Sequence, residues 1–411
     1  MRVLLATVGS TGDMNPFLAL GGALLAAGHE PVVFTSRSSA PLVARAGLGF
    51  CDSHSPASAA GYESMLRAVM AETNPLKQAA IILDQTTREQ LTSLRAARAA
   101  VAGADVVVAH AMDLAAVGAA EAAGRPLVTA HLFPTLLPMR TLAPTGNSLG
   151  TLGNAIAWRV AARMTRALTD RQVNRVLGAF GLPLRRGALF AINQGARRTL
   201  LAVSPSVVPS CARWPAAMTQ TGYWFLDEPA LDVDPALVRF VAAGEPPVIV
   251  SFGSMAGVDG AAVTDVLLEA LRLSGRRAIL QSGWARLGAG RTLPANVLGV
   301  GYVPHGWLLA RASCLVHHGG AGTTAAAFRA GIPQVVVWHM GDQTFWGARV
   351  AALGVGPKAL YHGKLTARRL AERIDRVFED GAMTTAAREL GARVRAEDGV
   401  GAAVRAIEGA R

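Results

Sequence analysis

The chain has 411 residues, 51% apolar and only 6% aromatic, with a formal net charge of +12. That length suits two domains with sizeable cores, and the Ala- and Gly-rich apolar content suits α/β layering better than a β-sandwich. Cys51, Cys211 and Cys314 stand at wide, unpatterned spacings, which excludes a disulfide framework or a C-x-x-C metal site, and the scattered arginines give no dense block of the kind that marks nucleic-acid binding.

In chain order, residues 2–8 predict a buried strand, Gly9-Ser10-Thr11-Gly12-Asp13 a turn, residues 16–27 an apolar helix closed by Gly28, and residues 32–35 the next strand. This is a βαβ opening. Three readings of its turn stay open. It could be a dinucleotide site, with Ser36-Arg37 holding a 2′-phosphate, although the third glycine of G-x-G-x-x-G is missing. It could present Asp13 as a base, kept ionised by the helix dipole. Or Asp13 could simply cap the helix.

Residues 50–102 predict loops and helices without strands. Residues 105–110 and 126–131 are strand-like, and His110, Asp113 and His131 fall near their carboxyl ends, where α/β proteins bind ligands. With Thr11 and Gly12 they are candidates for lining an acceptor pocket, helped by the apolar run at 133–139. Residues 155–181 predict a long helix with Trp158, Ala161, Thr165 and Leu168 on one face and Arg159, Arg163 and Arg166 on another. Such a helix packs on its own domain or touches an anionic membrane surface. A strand is expected at 200–204.

Composition then changes. Asp227-Glu228-Pro229-Ala230-Leu231-Asp232-Val233-Asp234-Pro235 is acidic and proline-bearing, as a linker would be. The strand–helix alternation restarts at 247–252 and continues through 278–281, 297–300, 314–316 and 334–338, with helices expected near 263–273, 366–379 and 400–408. The expected organisation is a first domain at 1–220, a linker at 221–240, a second domain at 241–395 and a terminal helix at 396–411 packing back on the first. The fold class is α/β: two Rossmann-like domains with parallel sheets facing across a cleft.

The second half carries the stronger motifs. Gly253-Ser254 ends one strand, and His317-His318-Gly319-Gly320-Ala321-Gly322-Thr323 joins another to a helix. Strand, glycine turn and helix start together aim backbone N–H groups and a helix dipole at a phosphate. Gly320 and Gly322 allow close approach, His318 and Thr323 add donors, and the bland alternative is a plain turn with a satisfied histidine. Asp342-Gln343 follows a further strand and offers acceptors and donors to vicinal hydroxyls. Val303 and Trp307, within Tyr302-Val303-Pro304-His305-Gly306-Trp307, are placed to flank a base.

These stretches, with Thr221-Gly222-Tyr223-Trp224 and Phe345-Trp346-Gly347-Ala348-Arg349-Val350, resemble the nucleotide-sugar-dependent glycosyltransferases of the GT-B fold, in particular bacterial natural-product and sterol glucosyltransferases. The resemblance covers most of the chain. It implies an inverting transferase that uses a UDP- or dTDP-sugar as co-substrate, without a resident cofactor or metal, and a lipophilic hydroxyl acceptor. Asp13 would match the general base. Gly253, Ser254, His318, Gly320, Gly322 and Thr323 would match phosphate-binding positions, Asp342 and Gln343 the sugar-binding ones, and Val303, Trp284 and Trp307 would border the base. Two positions depart from plant members. The frame of their G-H-x-x-P motif reads Gly12-Asp13-Met14-Asn15-Pro16, which leaves Asp13 alone or with His110 or His131. Ala326 replaces a ribose-gripping Glu, a loss that a deoxyribose donor tolerates. A cytoplasmic chain without a spanning helix is expected, with peripheral membrane contact as an option. The rival functions are a catalytically silent auxiliary protein, an NAD(P)-dependent enzyme and a nucleotide-sugar epimerase.

Overall fold

A computed structural model describes residues 1–56, 59–72, 75–227, 233–253, 260–283, 286–379 and 381–410. The chain forms two compact units: Met1–Pro144, Ser148–Leu226 and Glu397–Arg411 in one, Thr145–Asn147 and Asp227–Ala396 in the other.

The first unit is built on seven strands, β1 (Arg2–Ala6), β2 (Glu30–Thr35), β3 (Gly49–Asp52), β4 (Val106–His110), β5 (Leu127–His131), β6 (Arg198–Leu201) and β7 (Met218–Gln220), in the order β3-β2-β1-β4-β5-β6-β7. Every neighbouring pair is parallel. A parallel sheet needs helices on both faces, and β4 and β5 are buried at every residue. Their alternate side chains feed two cores. Val107 and Ala109 join one with Val173, Val176 and Leu177, while Val106 and Val108 join the other with Phe17, Leu20 and Leu24 from the helix Thr11–Ala26. Burying a side chain such as Phe17 contributes roughly 1.5–3 kcal/mol. The terminal helix Gly399–Glu408 adds Ala403, Val404 and Ile407 to this second core, and His29 Nε2 meets Glu408 Oε1 at 3.1 Å.

β3 lies in the stretch expected to lack strands. Its four residues, Gly-Phe-Cys-Asp, sit at the sheet edge and are half-buried or exposed, so they carry no apolar run to read. The long helix is Gly150–Gly178, starting earlier than its apolar pattern because Asn154 Oδ1 accepts the Leu149 N–H at 2.8 Å. The end of the acidic stretch is a helix start: Asp234 accepts the Ala236 N–H at 2.8 Å and Pro235 takes the first helical position.

The second unit holds β8 (Val248–Ser251), β9 (Ala278–Gln281), β10 (Val297–Val300), β11 (Cys314–His317), β12 (Gln334–Trp338) and β13 (Leu360–Tyr361), ordered β10-β9-β8-β11-β12-β13 and again parallel throughout. In each sheet the strand order reverses once, between β1 and β4 and between β8 and β11. Loops beyond the carboxyl ends at such a reversal diverge and leave room for a ligand. Gly9–Asp13 follows β1, His110–Asp113 ends and follows β4, Gly253 follows β8 and His318 follows β11.

Candidate active site

In the first unit the chain leaves β1 and turns at Gly9, whose φ of +117° suits glycine. Ser10 caps the helix Thr11–Ala26, its Oγ accepting the Gly12 N–H at 3.3 Å. The Asp13 carboxylate folds back on the same cap: Oδ2 accepts the Ser10 N–H at 2.8 Å and the Ser10 hydroxyl at 3.3 Å. A Cβ on Gly9 would lie 2.2 Å from that oxygen, so glycine is what makes room for the carboxylate. No other residue donates a hydrogen bond to Oδ1 among the described residues. Asp13 is half-buried, and the loss of water around the carboxyl pushes its pKa up to about 6 against the lowering effect of the Ser10 bonds. The cap and base readings are therefore compatible: one oxygen caps, the other is presented. The dinucleotide reading is not, because a diphosphate at this helix end would meet a carboxylate. Thr11 and Gly12 are exposed beside it.

His110 and His131 end the neighbouring strands β4 and β5. Burial pushes both down to about 4, so both are neutral at physiological pH. His131 Nε2 lies 3.0 Å from Asn193 Oδ1, and the His110 ring meets the edge of Phe17 with centroids 6.1 Å apart. No hydrogen bond joins either ring to Asp13 among the described residues. Asp113 caps the helix Leu114–Ala122 through Oδ1, which accepts the Ala116 N–H at 3.0 Å, while its Oδ2 is buried without a partner among the described residues and desolvation pushes the group up to about 6.

The second unit repeats the strand–turn–helix plan with the opposite filling. Gly320 caps the helix Ala321–Ala330 without a side-chain bond, and no acid stands in its first turn. The N–H groups of Ala321, Gly322 and Thr323 have no acceptor among the described residues. His318 leans over this end: a Cβ on Gly320 would fall 2.3 Å from its Nε2, and one on Gly253 would fall 3.1 Å from its Cε1. The two glycines thus make a slot for the ring. Its Nδ1 is buried without a partner among the described residues. Burial, then the neighbouring His317 and His305, push His318 down to about 3, so its ring is neutral at physiological pH. His317 Nδ1 accepts the Gly319 N–H at 3.1 Å and holds the turn.

Asp342 stands before the helix Gln343–Ala352, with Oδ2 accepting the indole N–H of Trp346 at 2.8 Å. Gln343 Oε1 accepts the N–H groups of His339 and Met340 at 2.7 and 3.1 Å. Its oxygen therefore braces the loop. The carbonyl of Val303 accepts from Gln281 Nε2 at 2.8 Å, and Gln281 Oε1 accepts from Ser251 at 2.9 Å. That chain ties Val303 to the end of β8. Trp307 is half-buried with the Arg311 guanidinium 4.3 Å from its ring centroid. Gly253, His318 and Gly320 are brought into contact, and a Cβ on Gly319 would lie 3.2 Å from the Gln343 carbonyl. Ser254 and Trp284 lie outside the described residues.

Residues 280–403 match the family described as "Erythromycin biosynthesis protein CIII-like, C-terminal domain". The chain is 33% identical to the O-mycaminosyltylonolide 6-deoxyallosyltransferase of Streptomyces fradiae, over 97% of this chain and 95% of that one. The chain belongs to the nucleotide-sugar-dependent GT-B glycosyltransferases. It is also 32% identical, over 99% of its length, to a sterol 3-beta-glucosyltransferase of Aspergillus clavatus, of which it spans 29%. The crystal structure of the glycosyltransferase VinC, solved in complex with dTDP, superimposes with a TM-score of 0.68 at 20% identity, covering 99% of this chain and 100% of that one.

Three groups in this glycosyltransferase escape a motif reading. Trp346 holds Asp342 across one helical turn, a signal visible as an acid and an indole four residues apart. Gly283, at φ +51°, lets β9 approach β8, since a Cβ there would lie 2.6 Å from the Gly253 carbonyl; only its place after a strand hints at this. His339 packs edge-on to Phe252 at 5.9 Å and stacks on His362 at 4.6 Å, contacts between residues too distant in sequence to pair by eye.

Proposed function

We propose that this glycosyltransferase moves a sugar from a dTDP- or UDP-sugar to a hydroxyl of a lipophilic small molecule, with inversion at the anomeric carbon. Asp13 Oδ1 takes the hydroxyl proton as the acceptor oxygen forms its bond to that carbon. The bond from the anomeric carbon to the diphosphate breaks on the opposite face, and the diphosphate leaves with the electron pair. The N–H groups of Ala321, Gly322 and Thr323, with the neutral His318, would receive the growing negative charge. Asp342 and the Gln343 amide would hold the sugar, and Val303 and Trp307 would border the base, together with Trp284. Ser254 would add a hydroxyl to the phosphates. The observation that carries the reading is Asp13, capped through one oxygen, open at the other, and raised toward neutrality. A base near the working pH accepts a hydroxyl proton better than an ordinary carboxylate.

dTDP is the preferred nucleotide here. Ala326 offers no carboxylate to a ribose diol, one relative is named for a 6-deoxyhexose, and a structural neighbour was solved with dTDP. A relative named for glucose transfer to a sterol keeps a glucose donor, carried by UDP, as the second reading. A panel of dTDP-6-deoxyhexoses, dTDP-glucose and UDP-glucose, scored by thermal stabilisation of the folded chain, separates them. Stabilisation by none overturns the donor assignment. An anomeric coupling constant in the product matching the donor's configuration overturns inversion.

A further inference from the structure

The helix Gly150–Gly178 is apolar on two faces. Its inner face packs Trp158, Val173, Val176 and Leu177 into the first unit, with the Trp158 indole donating to the Leu142 carbonyl at 2.8 Å. Its outer face carries Leu152, Ile156, Val160 and Met164 at successive four-residue steps, exposed by 75, 50, 53 and 50%. Beside this ridge stand Arg159, Arg163 and Arg166, which with Arg186 and Phe190 line an open groove of about 700 Å³. Leu184, 82% exposed, belongs to the neighbouring loop. Arg171 and Arg175 are exposed further along the same helix. None of the four groove arginines, nor Arg171 or Arg175, pairs with a carboxylate among the described residues. The helix has one acid, Asp170, and it turns inward to accept the Gly187 and Ala188 N–H groups at 2.9 and 2.8 Å. The outward face is therefore apolar and cationic, with no anion.

We infer that this face docks the enzyme on an anionic lipid bilayer, the ridge entering the headgroup boundary and the arginines meeting lipid phosphates. Folding leaves half or more of each of these large side chains in water, and the charge beside them on the helix has one sign. A surface-lying membrane helix has this make-up. The ridge spans roughly 18 Å along one helix, from 1.5 Å per residue. That is narrow for a stable protein interface, which buries about 800 Å² per partner. No helix among the described residues is long and apolar enough to cross a membrane, so the contact would be peripheral. The inference is independent of the donor and acceptor proposed above.

Flotation of the full chain with phosphatidylcholine vesicles, with and without phosphatidylglycerol, tests it. Binding is expected only to the anionic vesicles and should fall as salt rises from about 50 to 500 mM. The triple variant Arg159→Glu/Arg163→Glu/Arg166→Glu should lower the partition coefficient by about 100-fold or more, from about 1 kcal/mol per basic group near the surface. The triple variant Ile156→Ser/Val160→Ser/Met164→Ser should weaken binding independently. Five of the six positions are exposed and Arg166 is half-buried, and an unchanged thermal midpoint confirms that each variant folds. No flotation of the wild-type chain, or flotation that neither variant alters, overturns the inference. So does elution of the wild type as a dimer that the serine variant splits, which would assign the ridge to a second copy.

Discussion

The turns Gly9–Asp13 and Gly319–Thr323 share one plan, and the chain fills them with opposite charge. Each follows a strand at the reversal of its parallel sheet and opens a helix. In the first, the third helical position is Asp13, whose carboxylate occupies the cap. In the second, that position is Thr323, and the N–H groups stay open under a neutral histidine. A helix N-terminus attracts anions wherever it occurs; whether it binds a ligand's phosphate depends on whether the chain has already supplied an anion of its own. One local architecture thus gives a helix end filled by its own carboxylate in one unit and an end with open N–H groups in the other.

The assignment of the base is the half most exposed to test. Asp13→Asn keeps the side chain's shape and an oxygen for the Ser10 N–H while removing the proton acceptor. Transfer should fall by about 1,000-fold, within the 10²–10⁴ range for a general base, with thermal stabilisation by a dTDP-sugar unchanged. Asp13 must be ionised to accept a proton, and its pKa is raised to about 6. For the wild type, kcat/KM should therefore rise with pH through about 6, above the usual carboxylate range. His318, held near 3, adds no limb there. Retention of the same limb by Asp13→Asn would assign it to another group.

Exchanging the filling should convert one end into the other. Thr323→Asp places a carboxylate at the third helical position of the open end. It should stabilise the helix by about 0.3–1 kcal/mol and repel the diphosphate. At 4 Å a like charge costs about 1–4 kcal/mol between water and a protein surface, so donor affinity should drop by roughly 100-fold while the thermal midpoint of the free protein holds or rises. Donor binding within twofold of wild type, by calorimetry, would mean the diphosphate lies elsewhere. His318→Ala is milder: losing one hydrogen bond to a charged group, about 1.5 kcal/mol or somewhat more, should raise the donor dissociation constant by about tenfold without moving the pH limb.

How far the sequence discloses this contrast depends on how local its causes are. The buried parallel strands are legible because both their faces are apolar, and the open turn is legible because its glycines, histidines and threonine are contiguous. β3, β7 and β13 have four, three and two residues and stand at or near sheet edges, too short for any periodicity. For Asp13, cap and base read as rivals in the sequence; the carboxylate's use of Oδ2 for the cap makes the two readings compatible. Gly9 reads as a generic turn glycine, yet its reason is a collision with a side chain four residues on. His131 with Asn193 is 62 residues apart, and no pattern in the chain announces that pair.

The smallest effect concerns the group that makes the first turn self-filling. Ser10 acts twice, through its hydroxyl and through its N–H. Ser10→Ala removes the hydroxyl bonds to the Gly12 N–H and to Asp13 Oδ2 and leaves the backbone bond that holds the carboxylate in place. Loss of a serine cap costs about 1 kcal/mol, or a few degrees in the melting midpoint of a unit of this size. The hydroxyl also lowers the Asp13 pKa by donating to its charged form, so its removal should carry the acid limb of kcat/KM to higher pH. Well above that limb Asp13 is ionised in either protein and still fixed by the Ser10 N–H, and the rates should agree within about twofold. A large loss of rate at high pH would mean that the hydroxyl, not the backbone N–H, orients the base.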